Sequence, residues 1–243
     1  MKKILSVFSL IARGSIYKLF VIIIAMAGCE FFLFNRVLNT ALAAENMTAL
    51  EGLITQSRIG LVFAGFFLLT TAALCLTGCD MGGRQNYTLK RLPVSPRAVY
   101  FIQAAYNFIA FTVLLAAQAI IAFGLCKLFT SKVSPEFVSN QTLFLAFYRS
   151  PFLHSLIPLS RLLLWFRNLV MLAALALSTA RFPVLQRQGK FAVSAIIVVV
   201  ATLATFVCSI EFIEPLIVSA AIFVLIITVS LTNALRRDEY DNA

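Results

Sequence analysis

Two residues of this sequence carry a full charge inside apolar runs: Glu30 in AGCEFFLF and Arg167 in LLLWFRNLV. A charged side chain near the middle of a membrane helix costs about 3 kcal/mol, so each needs a partner or a role. Counted inward from helix ends near 37 and 160, both fall about seven residues deep, roughly 10 Å. That shared depth predicts an intramembrane ion pair between Glu30 and Arg167, with Asn168 beside it. The alternative is that Arg167 extends toward water while Glu30 is protonated or faces water.

Other chemistry is sparse. His154 is the only histidine, in PFLHSLIP, with no second histidine or carboxylate near it in sequence. The five cysteines sit singly or as Cys75-x3-Cys79, which is not a zinc spacing; they are expected to pack as small apolar side chains. No G-x-x-x-x-G-K-[ST] phosphate loop, G-x-S-x-G elbow or H-E-x-x-H motif occurs. The expectation is therefore a non-enzyme, with no catalytic, cofactor-binding or metal-ligating residue. If ATP drives it, another chain binds that ATP.

The elements that position these charges follow from composition. The chain has 243 residues, 61% hydrophobic and 12% charged, with a mean hydropathy of +0.95. A soluble domain of this length carries far more polar residues. The apolar residues gather in blocks of about 20, enough for a helix to cross a hydrocarbon layer of roughly 30 Å. Lipid offers no partner to a free amide, so each span must be helical. An all-α membrane protein of six transmembrane helices in a single domain, 1–243, is expected, with spans at about 19–37, 59–79, 98–127, 161–181, 190–210 and 212–233. No segment is long and polar enough to be a nucleotide-binding domain.

Lys and Arg set the orientation. Lys2, Lys3, Arg13 and Lys18 precede span one; Arg84, Lys90, Arg91 and Arg97 lie between spans two and three; Arg181, Arg187 and Lys190 between four and five; Arg236 and Arg237 after six. They outnumber the basic residues of the alternate connections, which places both termini in the cytoplasm. The net charge of +10 thus follows membrane sidedness rather than a nucleic-acid partner. Met26-Ala27-Gly28-Cys29 has a lipoprotein-like look, but the apolar run continues through Phe34, so an uncleaved first span is expected.

Two flanking segments have their own patterns. Ile4, Val7, Phe8 and Ile11 fall at i, i+3, i+4 and i+7, which predicts an amphipathic N-terminal helix lying in the inner interface. The segment LFLAFYRSPFLHSLIPLS, 143–160, is apolar but broken by Pro151 and Pro158, and reads as interfacial or re-entrant. Trp165 is expected to anchor in the outer aromatic belt.

The stretch GGRQNYTLKRLPVSPR, residues 82 to 97, is basic, short and sharply bounded. Gly82-Gly83 opens with a turn, and Pro93 ends any helix at Leu92. Ser95-Pro96 reads as an N-cap followed by proline at the first helical position, launching span three. A short cytoplasmic helix from about Asn86 to Leu92 remains.

With NYTLKRLPVSPRAVYF entering span three, the chain resembles the ABC-2 type permeases, the membrane subunits of ATP-binding-cassette exporters. The resemblance is carried by residues 82 to 107 and by the topology. It implies that Tyr87, Leu89, Lys90, Arg91 and Leu92 form a coupling helix that docks on an ABC ATPase. It implies also a second permease copy or related chain, membrane lipids around both, and a bacterial cytoplasmic membrane. Phe63, Phe66 and Phe67 are candidates for lining an apolar route for amphipathic cargo. The chain departs from many relatives in having a tight link between spans five and six, and its long outer segment before span four. Competing readings are a secondary transporter using Glu30 as a proton site, and a membrane binding or immunity protein that does not pump.

Overall fold

A computed structural model describes residues 2–44, 49–77, 95–133, 141–158, 162–187 and 193–207. The described elements are all helices: α1 (Lys2–Ala43), α2 (Leu50–Gln56), α3 (Ile59–Thr77), α4 (Pro96–Lys132), α5 (Thr142–Arg149), α6 (Pro151–Leu156), α7 (Leu162–Arg187) and α8 (Val193–Val207). Four stretches are long and apolar enough to cross a membrane: Leu5–Ala43, Ile59–Thr77, Arg97–Lys132 and Leu164–Gln186. They correspond to the first four expected spans. The fifth, at 190–210, is not among them: it is described only over the 15 residues of α8. The sixth, at 212–233, lies outside the described residues, as do Cys79 and Cys208.

The N-terminal expectation needs correction. Residues 4–14 do not form a separate interfacial helix but open a continuous helix of 42 residues, roughly 63 Å long. No proline interrupts it, and Ser15 donates its hydroxyl to the Ile11 carbonyl at 2.9 Å, so the junction holds no unsatisfied group. The apolar stripe is covered by protein: Val7 and Ile11 are buried, and the Phe8 ring meets the edge of Tyr106 on α4 at 5.7 Å. Buried side chains climb α1 as a row at four-residue spacing, with Val7, Ile11, Ser15 and Leu19 below and Met26, Glu30, Phe34 and Leu38 above. Such a row is the ridge that one helix lays into the groove of another.

Helix α4, 37 residues long, starts as its sequence predicts. Ser95 caps it, its hydroxyl oxygen accepting from the Ala98 amide at 3.3 Å, and Pro96 follows in the first turn. Its buried stripe runs through Asn107, Phe111, Leu114, Gln118, Leu125 and Phe129. Helix α7 passes the expected end near 181 and continues through the buried Pro183 to Arg187. Proline removes one amide donor, a loss that packed neighbours in a membrane bundle absorb.

The four long helices stand at the corners of a square. α4 packs along α1 and α7, and α3 packs along the same two, with α8 set outside against α3 and α7. α3 and α4 face each other across a diagonal, where Phe67 stacks on Phe111 with ring centres 5.5 Å apart. α1 and α4 run parallel, because their contacts climb together from Phe8–Tyr106 to Asn35–Lys132. α7 runs the other way: near its start Asn168 donates to the Ser155 carbonyl of α6 at 3.0 Å, and further along it the Leu177 carbonyl accepts from Tyr100, near the start of α4, at 3.2 Å. The starts of α1 and α4 and the ends of α3 and α7 therefore share one end of the bundle, the proximal end.

The distal end is closed by the proline-broken segment, whose helix α6 packs into the core. Phe152, Leu153 and Leu156 of α6 are buried, and Phe152 packs on Phe63 of α3 at 5.7 Å. α5 is half outside: Phe144 and Tyr148 are exposed and stacked on each other. Arg149 reaches Glu51 of α2 at 3.4 Å, an exposed pair that contributes little. Trp165 is partly exposed, and its indole N–H donates to the Pro158 carbonyl at 2.8 Å.

On α4, Gly124 lies against the ring of Phe31, the residue after Glu30. A Cβ built on Gly124 would lie 2.9 Å from Cζ of Phe31. Gly124→Leu is therefore expected to turn that partly exposed ring aside, costing about 1 kcal/mol or less, below the range for overpacking a closed core. Thermal unfolding in detergent checks this, and a loss of several kcal/mol would show that the ring cannot move.

Candidate intramembrane polar site

Helix α4 bonds to its two neighbours through three polar side chains. Tyr100 and Asn107 face α7; Gln118 faces α1. Asn107 Nδ2 donates to Thr179 Oγ1 at 2.9 Å, and the Thr179 hydroxyl points at the Leu175 and Ala176 carbonyls. Polar groups in an apolar bundle are tolerated when they bond across helices, each such bond contributing about 0.6 kcal/mol or somewhat more.

Gln118 makes the contact that matters most. Its Nε2 donates to Glu30 Oε2 at 2.9 Å, and both residues are fully buried. Glu30 Oε1 and Gln118 Oε1 are also buried and have no hydrogen-bond partner. Glu30 is in this position because it lies on the four-residue ridge of α1, in register with Met26 and Phe34. The ridge points at α4, so the carboxyl faces protein and not lipid.

Arg167 is almost wholly buried near the start of α7. Its Nε and Nη2 donate to Asn168 Oδ1 at 3.3 and 3.1 Å, and Asn168 Nδ2 donates to the Ser155 carbonyl of α6 at 3.0 Å. The ion pair expected between Glu30 and Arg167 is not formed: each side chain takes an amide partner instead. The reason is the square. α1 and α7 sit at opposite corners, with α3 and α4 between them, so equal depth does not bring these residues together. Asn168, expected beside the pair, does hold Arg167.

Other sequence candidates fall as follows. Tyr87, Leu89, Lys90, Arg91 and Leu92 lie outside the described residues. Phe63 and Phe67 are fully buried core residues, Phe63 against Phe152 and Phe67 against Phe111, and do not line an open route. Phe66 is partly buried at the edge of that core. His154 sits in α6 with its ring edge-on to Tyr148 at 5.9 Å and Nδ1 buried without a partner. Cys29, Cys75 and Cys126 lie within the long apolar helices and form no disulfide.

Sequence reasoning singled out the charges and missed Gln118. The signal was present: Asn107 and Gln118 are polar residues eleven apart in an apolar helix. That is three turns, hence one face. Compared with protein-family models, with curated proteins and with solved structures, the chain finds no match.

Proposed function

We propose that this chain is the permease subunit of an ATP-binding-cassette transporter, an exporter of an amphipathic or hydrophobic substrate. A separate ATPase docks on residues 82–97 at the cytoplasmic face of a bacterial inner membrane, and two permease chains form the pathway. The observation that supports this most is where that basic segment must leave and re-enter the bundle. Thr77 ends α3 and Ser95 caps α4 at the proximal end, where α1 begins and α7 finishes. A partner pressing on 82–97 would act directly on the start of α4, and α4 packs along both α1 and α7. The sequence TLKRLPVSPR adds the resemblance to the family.

On this reading the chain itself performs no catalysis. The partner binds and hydrolyses ATP, and the motion passes through Ser95 and Pro96, which open α4. The test is co-purification of an ABC ATPase encoded beside this gene, with the wild type and with Leu89→Asp/Leu92→Asp. The wild type should retain the ATPase. The variant should lose at least about tenfold of it, since two charges placed in an apolar docking face cost several kcal/mol. Equal retention by both chains rejects the docking assignment, and an ATPase absent from both rejects the permease reading.

One observation favours a second reading, a proton-coupled secondary transporter: Glu30 is a fully buried carboxyl with no cationic partner. Uptake driven by a proton gradient in vesicles containing this chain alone, without nucleotide, would select it.

A further inference from the structure

The contact between Glu30 and Gln118 leaves a specific imbalance. One bond is made, from Gln118 Nε2 to Glu30 Oε2 at 2.9 Å. The remaining oxygen of each group, Glu30 Oε1 and Gln118 Oε1, is buried and unpartnered. Both are acceptors, so neither can satisfy the other as the side chains stand. Burying an unsatisfied polar atom costs about 1–3 kcal/mol, and more if it is charged. Rotating the Gln118 amide by half a turn does not help, because its oxygen would then face the carboxyl oxygen it now bonds through nitrogen.

We propose that Glu30 and Gln118 form a proton-binding site between α1 and α4: Glu30 carries the proton on Oε1 and donates it to Gln118 Oε1. With the bond already present, this closes a two-bond ring between a carboxylic acid and a primary amide. Each group is planar with two polar atoms on one carbon, so a single proton satisfies both orphan oxygens. The ligand is the proton itself. No bond beyond O–H is made or broken.

Among the described residues, no other group near the site takes the proton's place. Helix α3 carries no charged residue, and its one thiol is Cys75. On α2 the titratable residue is Glu51, which pairs with Arg149. On α4 the cations are Arg97, Lys127 and Lys132; Lys132 is held at the distal end by Asn35 and Asn39 at 2.6 and 3.2 Å. The tyrosines of α4 are Tyr100, bonded to Leu177, and Tyr106, beside Phe8, with Cys126 above. On α1 itself, beyond Lys2 and Lys3 of its first turn, are Arg13, Tyr17, Lys18, Cys29 and Arg36. None of these donates to Glu30, so among the described residues a carboxylate there would have no cationic partner.

Two consequences follow. The proton is held where both side chains are fully buried, so its release requires α1 and α4 to part. Glutamine at position 30 preserves the ring, since two primary amides form the same pair of bonds.

Infrared difference spectra of the full-length protein in lipid nanodiscs at neutral pH, wild type against Glu30→Gln, read the site directly. The expected result is loss of a protonated-carboxyl band in the variant. Loss of a carboxylate band instead overturns the proposal. Reversible unfolding gives a second measure. Glu30→Gln should stay within about twofold of the wild type, whereas Gln118→Leu should weaken folding about three- to tenfold, one to two interhelical bonds. A loss in Glu30→Gln equal to that in Gln118→Leu overturns it as well. If Gln118→Leu does not fold, the infrared comparison decides alone. Neither measurement involves an ATPase, so failure of the permease reading leaves this result unaffected.

Discussion

Replacing Asn168 with leucine is expected to destabilise the protein by about 3–5 kcal/mol, the usual consequence of leaving a buried charge without its partner. Asn168 Oδ1 is the acceptor for both Nε and Nη2 of Arg167, and Asn168 Nδ2 ties α7 to the Ser155 carbonyl of α6. With leucine there, the guanidinium keeps its burial and loses both bonds. Adding Arg167→Met should then recover most of the loss, because the charge that needed the acceptor is gone and an unbranched apolar side chain fills its space. A thermal double-mutant cycle in detergent measures the coupling. If the double variant is as unstable as Asn168→Leu alone, Asn168 does not act by holding Arg167, and its bond to Ser155 carries the effect.

The second large effect lies on the diagonal between α3 and α4. Phe67→Ala should cost about 3–5 kcal/mol, the range for deleting a buried aromatic ring. Phe67 is fully buried, stacked on Phe111 and packed beside Phe63. These rings fill the space between two helices that otherwise barely meet, so the surrounding helices are poorly placed to collapse into the gap. Phe66→Ala, one position along on a partly exposed face, serves as the control and should cost less than half as much. Chemical denaturation in mixed micelles gives the comparison. Equal losses at 66 and 67 would mean that the diagonal contact is not the centre of the bundle.

Both predictions depend on features that the sequence reveals unevenly. The apolar blocks, their lengths and the polar connections are a matter of local composition, and four of the expected spans appear as long apolar helices. Ser95-Pro96 was equally legible, because a cap is built from neighbouring residues. The boundary of the first helix was not. An amphipathic stripe on residues 4–11 has the same spacing whether lipid or another helix covers it, and only the presence of Tyr106 and its neighbours on α4 decides between them.

The charged residues divide in the same way. That Glu30 and Arg167 are costly in an apolar segment follows from residue type and position alone. Which partners they take does not, because depth is one coordinate and pairing needs the other two. Sequence determined the helices, their approximate ends, and the list of polar groups that must be satisfied within them. The tertiary structure decided that α1 and α7 stand at opposite corners, that Glu30 therefore meets Gln118, and that Arg167 meets Asn168. The physical reason is that hydrophobicity acts residue by residue along the chain, whereas hydrogen bonds between helices exist only once ridges and grooves have fixed which faces touch.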